Sequence, residues 1–318
     1  MASMWPIVRR FGLLALGVVA AWLVTVLVLN LTVFSAGGHV LSYLRAMESG
    51  DYAIAATKAG LAKAPRVLPV DTAKLSEPTI LGTRSLSSGE LVVEASYQLD
   101  NASHTTVFIV EEDEPVLWFF DTWHFTKTPL SSLRFAVIGD HRVNVNEVEL
   151  NTLAMGVPPT EKVLVPGVYE SSWVTPWVEA TPQRSVLSDI GDTTSLRLQI
   201  RPSLALIDTT VDAVESFLND CVAQAVLQPV GCPFGVSIDD RVIGTPQWQI
   251  LDYPVVELTL GADRAAWSMS AQGGVAEVTI EVQSLFDGTL STSVETLDFD
   301  VYGIVRGTTV DEPVLNLF

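Results

Sequence analysis

Residue types that carry chemistry are thinly spread in this sequence. The four histidines, His39, His104, His124 and His141, fall in separate segments, and no two have the spacing of a metal site. Each reads as a surface or strand residue. Cys221 and Cys232 have ten residues between them, which excludes a CxxC redox pair, and two cysteines are too few for a four-thiolate zinc site. Glu111-Glu112-Asp113-Glu114 is the densest acidic run and offers the oxygen ligands calcium prefers. Its place between two strand patterns, with Pro115 after it, reads instead as a solvated hairpin tip. Asp239-Asp240 is a weaker version of the same signal. Trp173 and Trp177, on either side of Pro176, would form a glycan- or partner-binding aromatic patch if exposed, and core if buried. Patterns for zinc proteases, serine hydrolases, dinucleotide and nucleoside-triphosphate sites and EF-hands do not occur. No metal or cofactor is expected.

The elements around these residues say more than the residues do. Phe11 to Phe34 is a run of 24 residues without a charge. As a helix it would be about 36 Å long, enough to cross a hydrocarbon layer of about 30 Å. A cleaved signal peptide is the alternative, with Val33-Phe34-Ser35 as a weak cleavage site. Its apolar core, however, usually runs about 7–15 residues. The expectation is an uncleaved anchor. Arg9 and Arg10 are the only charges before it and place residues 1–10 in the cytoplasm. The chain has 18 basic and 37 acidic residues, a formal net charge of −19, beside a positive mean hydropathy of +0.35. All the acids follow the span, so the exported part is the acidic part. Clusters of Lys and Arg that would hold nucleic acid are missing. Outside a reducing cytoplasm, Cys221 and Cys232 are expected to form a disulfide, with two buried thiols as the bland alternative.

Beyond the span, Val40, Leu44 and Met47 recur at helical spacing over 38–49, and Asp51 can cap a second short helix that Gly60 ends. Strand patterns follow at 90–100, 105–112 and 116–125, the last very aromatic. Residues 129–202 carry strand patterns without a helical window. After Pro202, Val211, Val214, Leu218, Cys221, Val222 and Ala225 share one helical face, and more strands follow. Asp287-Gly288 marks a hairpin between the last two. Ile80-Leu81-Gly82-Thr83 and Val242-Ile243-Gly244-Thr245 open the two outer sheets alike.

Helix, Ser-Gly-Asp, second short helix and a sheet ending in an aromatic strand together resemble the nuclear-transport-factor-2-like superfamily of cone-shaped α+β domains. LSYLRAMESGDYAIA is similar to the start of the exported, membrane-anchored versions from actinobacteria, and CVAQAVLQPVGCPFG to a second such domain. VNVNEVEL with LVPGVYESSW resembles a small PEGA-type β module, with Glu147 where such motifs usually carry Gly. The resemblance implies an α+β architecture: a tail at 1–10, a transmembrane helix at 11–34, a cone domain at 36–128, an all-β sandwich-like module at 129–202 and a second α+β domain at 203–318. It implies an architecture rather than an activity. In ketosteroid-isomerase-like members a carboxylate in the cone acts as a proton shuttle. By that resemblance Asp121 and His124, with Tyr97 on a neighbouring strand, are the groups available for such work. Asp121 and Tyr97 would pair as base and oxyanion donor only if both faced one cavity; the plainer reading is a polar rim with no catalytic residue. Alternation along 116–125 does not fix which face points inward, because Trp118, Phe119 and Phe120 are apolar on both faces.

The expectation is therefore a non-enzymatic, single-pass plasma-membrane protein, held by residues 11–34, with its bulk outside. It would bind or scaffold envelope proteins or cell-wall material. The alternative is a small-ligand binder or acid–base enzyme using one cone pocket. A pocket holding an inward carboxylate would favour the alternative, and one filled by aromatic side chains the former.

Overall fold

The structure, a computed structural model, describes residues 5–151, 160–261, 266–307 and 312–318, with side chains from Leu14 onward. Arg9 and Arg10, on which the expected topology rests, have side chains outside that set. Helix and strand are mixed. The first helix, α1 (Trp5–Leu31), contains Leu14–Leu31, a stretch long and apolar enough to cross a membrane and without a buried residue. Thr25 within it and Thr32 just after it hide their polarity by donating to the carbonyls of Ala21 and Val28, at 2.9 and 2.7 Å.

After a three-residue turn, Ser35 caps α2 (Ala36–Ser49) by accepting from the Gly38 amide at 3.0 Å. A Cβ on Gly38 would collide with the Thr32 and Val33 carbonyls, so the close α1–α2 junction depends on glycine there. Val40, Tyr43, Leu44 and Met47 are buried on one face, and Gly50 closes the helix in the left-handed region. Asp51 caps α3 (Tyr52–Lys58) as expected, accepting from Ile54 at 3.1 Å.

Four antiparallel strands follow in sequential order: β1 (Ser76–Ser85), β2 (Leu91–Leu99), β3 (Ala102–Val116) and β4 (Phe120–Phe125). Val93, Ala95, Tyr97 and Leu99 alternate inward on β2 and pack with Phe108, Val110 and Phe125 beneath α2. Rings fill this interior: Tyr43 lies 5.4 Å from Phe125 and 6.1 Å from Phe108. The stretch 116–125 is not one strand. Leu117 and Trp118 both adopt positive φ, 53° and 69°, at the centre of the turn formed by residues 117–119 between β3 and β4. The acidic run 111–114 therefore lies within β3 rather than at a hairpin tip. Pro115 falls in a register shift between Asp113 and Val116, where its missing N–H breaks no ladder bond.

Residues 130–202 supply β5 (Leu130–Ile138), β6 (Arg142–Val145), β7 (Val148–Asn151), β8 (Thr160–Leu164), β9 (Gly167–Val174), β10 (Val178–Leu187) and β11 (Thr193–Pro202). They form one sheet of order β7-β6-β9-β10-β11-β5-β8. The chain divides into two compact units. The first holds residues 1–136, 143–171 and 182–197, the second 137–142, 172–181 and 198–318. Strands β5, β6, β9, β10 and β11 each contribute residues to both.

In the second unit α4 (Leu204–Val222), capped by Ser203, buries Leu206, Thr210, Val214, Leu218 and Cys221. The sheet that follows contains β12 (Arg241–Val242), β13 (Gln247–Asp252), β14 (Val255–Leu260), β15 (Trp267–Gln283), β16 (Leu290–Arg306) and β17 (Val314–Leu317). β15 runs straight through the Gly273-Gly274 pair that punctuates the sequence. Gly273 at φ 78° makes a bulge there instead of a turn. The hairpin expected at Asp287-Gly288 forms, with Ser284 donating to the Thr289 carbonyl at 2.9 Å to close the loop.

Candidate functional site

In the first unit the α1–α2 junction, β1 and β4 surround a cleft of about 560 Å³. Its walls are mainly apolar, with Leu31, Leu41, Ile80 and Trp123 among them, and Asn30 and Asp121 bring the strongest polar groups. Local chemistry explains the shape. The chain turns sharply at Thr32–Ser35, Ser35 caps α2, and Gly37 and Gly38 leave the wall without side chains. Trp123 closes one side by donating its indole N–H to the Phe34 carbonyl at 2.7 Å. Asn30 donates to the Phe119 carbonyl at 2.7 Å, while its Oδ1 is buried without a partner among the described residues. A cleft of this volume and lining suits a small, largely apolar ligand with one polar end.

The structure decides the facing of β4 that the sequence left open. Phe125 is in the core, Trp123 packs against it and Asp121 lines the cleft, so this alternate set faces inward. His124 faces outward and is exposed. Its Nδ1 lies 3.0 Å from Asp113 and its Nε2 3.9 Å from Glu111, so the acidic run has a histidine as neighbour. Tyr97 is buried and bonded to the Thr106 hydroxyl at 2.5 Å, while Thr106 donates to the Ser188 carbonyl at 2.7 Å. Burial pushes its phenol up to about 12, and the Thr106 bond only partly offsets that. Along the strand ladder Tyr97 pairs with His104, six residues from Val110, which pairs with Phe125. Asp121 is four residues further, so the two groups are roughly 30 Å apart at strand rise. Asp121, Tyr97 and His124 do not converge, and the base–oxyanion pairing that the enzymatic alternative needs is not formed.

His39 is the most perturbed histidine. It sits on α2 with its ring 4.8 Å from Phe125, and its Nε2 is buried without a partner among the described residues. Desolvation, helped by the charges of Lys58 and His124, lowers its pKa to about 4. Asp113 and the Lys58 main chain pull the other way and are outweighed.

In the second unit the sequence reading missed a constellation around Asp140. Its fully buried carboxylate accepts from the His141 and Arg142 amides at 2.6 and 3.0 Å and from the Trp173 indole at 3.0 Å. The Arg142 guanidinium lies 4.6 Å over the Trp173 ring, and its Nε is 3.4 Å from the same carboxylate. Only the turn signal Gly139-Asp140 pointed to this place. Trp173 is thus buried, not part of an exposed patch, and Trp177 is half-buried. Asp240 accepts from the Leu285 amide at 3.2 Å, a loop-fixing role. Cys221 and Cys232 form a disulfide that ties the end of α4 to the following loop. Among the described residues, no cluster of three His, Cys, Asp or Glu side chains has the arrangement of a metal site.

Compared with protein-family models, curated protein sequences and solved structures, the chain finds no match in any of the three.

Proposed function

We propose that this chain is a single-pass, membrane-anchored extracytoplasmic protein with a non-enzymatic binding or scaffold role in the cell envelope. The observation that carries this is the continuity of α1 with the folded unit. Phe34 stacks on Phe120 at 4.5 Å, Trp123 and Asn30 make hydrogen bonds across the junction, and Ser35 caps α2. Cleavage at Val33-Phe34-Ser35 would cut through packed structure, which favours an anchor over a signal peptide. The disulfide suits an oxidising compartment. Arg9 and Arg10 put the amino terminus in the cytoplasm by the positive-inside rule. Two nuclear-transport-factor-2-like domains around a PEGA-type module, with borders at 36–128, 129–202 and 203–318, belong to the same reading. So does the choice of envelope proteins or cell-wall material as partners. The aromatic filling of the first α+β interior favours it over catalysis in the cone.

Protease treatment of intact cells carrying a chain tagged at both ends tests the topology. The carboxy-terminal tag should be lost and the amino-terminal tag kept on a fragment that includes residues 11–34. Loss of the amino-terminal tag with residues beyond 40 spared overturns it.

The cleft supports a second reading, in which the first unit holds a small amphiphile with its polar end at Asp121 or Asn30. Ile80→Trp would fill the cleft. Native mass spectrometry of the detergent-released protein should find an adduct on the unsubstituted chain that this variant lacks.

A further inference from the structure

Val116, Leu117, Trp118 and Phe119 stand exposed in a row at the tip of the β3–β4 hairpin, Leu117 at 70% and Trp118 at 90%. Tight turns with positive φ favour Gly, Asn or Asp, because larger side chains are strained there. Here two large apolar residues occupy both positions, and neither is buried against its own chain. Nothing in the folding of the unit accounts for that choice.

The neighbour of the tip does. The Phe119 ring meets Trp22 of α1 edge-on at 4.7 Å, and the Phe119 carbonyl accepts from Asn30. The contacts bracket the depth. Asn30, which holds the Phe119 main chain, is one residue before the end of α1 at Leu31, and Trp22, which meets the Phe119 ring, is nine residues before it, about 13 Å along a helix. Phe34, beyond the helix, stacks on Phe120, so the strand descends past the end of α1. The hairpin therefore runs back alongside the apolar helix.

We propose that this tip is a second membrane-inserting element, entering the hydrocarbon of the same bilayer that α1 crosses, in the leaflet facing the folded units. The inference rests on α1 being an anchor. A hydrocarbon layer of about 30 Å takes about 20 helical residues, so counting from Phe11 its far boundary falls at Asn30. The chemistry of the hairpin changes at that level. Glu111, Glu112, Asp113 and Glu114 lie above it, among the headgroups, while the Phe119 main chain lies at it and the Phe119 ring, with the exposed side chains of Val116, Leu117 and Trp118 at the tip, enters the apolar layer below. The switch from acid to apolar occurs at Pro115. Asn30, the amide of an otherwise greasy span, covers the Phe119 carbonyl, a group that would otherwise meet hydrocarbon unpaired. The Phe119 amide donates back to Val116 at 3.3 Å.

The test uses the full chain in phosphatidylcholine vesicles. Its two cysteines are joined, so one added cysteine takes an environment-sensitive fluorophore selectively. Labels go at Trp118→Cys, at Leu23→Cys in α1, and at Asn101→Cys in the exposed turn between β2 and β3, which serves as the water reference. Insertion predicts that the 118 label emits at shorter wavelength than the 101 label and, like the 23 label, is quenched by chain-nitroxide lipid. Quenching at 23 with a water-like signal at 118 overturns the hairpin insertion and leaves the anchor. Absence of lipid quenching at both positions overturns both. A 118 label shielded from aqueous iodide yet unquenched by nitroxide lipid also overturns it, and assigns the tip to a protein partner or a second copy.

Discussion

His39 offers a quantitative test of the packing in the first unit. Its folded pKa of about 4 lies below the ordinary 6.5 because protonation would place a charge beside Phe125 without a partner for Nε2. At pH 7 the folded chain does not protonate it and the unfolded chain does so only in a minority of molecules, so it costs little. As pH falls through 6.5 the unfolded chain takes up a proton that the folded chain refuses, so stability is lost until about pH 4. Linkage gives a loss of about 2 kcal/mol at pH 5 and about 3 kcal/mol at pH 4. The perturbation is His39→Leu, which keeps an apolar filler against Phe125 and removes the proton site. Carboxylates titrate in the same range, so the quantity to read is the difference between the two proteins. In non-ionic detergent, unfolding free energies of the parent chain should fall relative to the variant by about 2 kcal/mol between pH 7 and 5. Carbon-13 labelling of the four histidines gives an independent reading, with the resonance missing from the variant titrating near 4. A midpoint near 6.5, or parallel loss of stability in both proteins, would refute the buried, neutral histidine.

Three further outcomes follow. Gly38→Ala should cost about 1–3 kcal/mol, because its methyl group meets the Thr32 and Val33 carbonyls, and the melting temperature in detergent reads it. Asp140→Ala should lower stability by about 3–5 kcal/mol, since the His141 and Arg142 amides and the Trp173 indole lose a shared buried acceptor. Proteolysis of the second unit should accelerate accordingly, and an unchanged melt would contradict the burial of that carboxylate. The Cys221–Cys232 bridge closes only a small loop, so reducing it should cost about 2–3 kcal/mol and loosen the segment after α4 in hydrogen exchange.

Local signals were legible where one residue makes the structure by itself. Asp51 caps α3, Gly50 ends α2, and Cys221 pairs with Cys232 across a short loop. The stretch 116–125 shows where such signals stop. Every residue from Val116 to Phe120 is apolar, so periodicity marks neither the turn nor the inward face, and the Glu–Pro junction looked more turn-like than Leu117-Trp118. Gly273-Gly274 shows the same limit, because a glycine pair that would break an isolated strand is held as a bulge within the paired β15.

The candidate site divides along the same line. Asp121, Trp123 and Asn30 are distant in sequence, and only the fold brings them to one cleft, while it keeps Tyr97 roughly 30 Å away at the other end of the sheet. By itself the sequence determined a 24-residue apolar span, an acidic remainder and a mixture of helix and antiparallel strand. These are properties of composition and period, carried by neighbouring residues. The tertiary structure alone decided that α1 continues into the folded unit, that Asp140 is buried under Trp173, and that the aromatic tip lies beside the apolar helix. Each of those depends on contacts between residues far apart in the chain, and no local pattern records them.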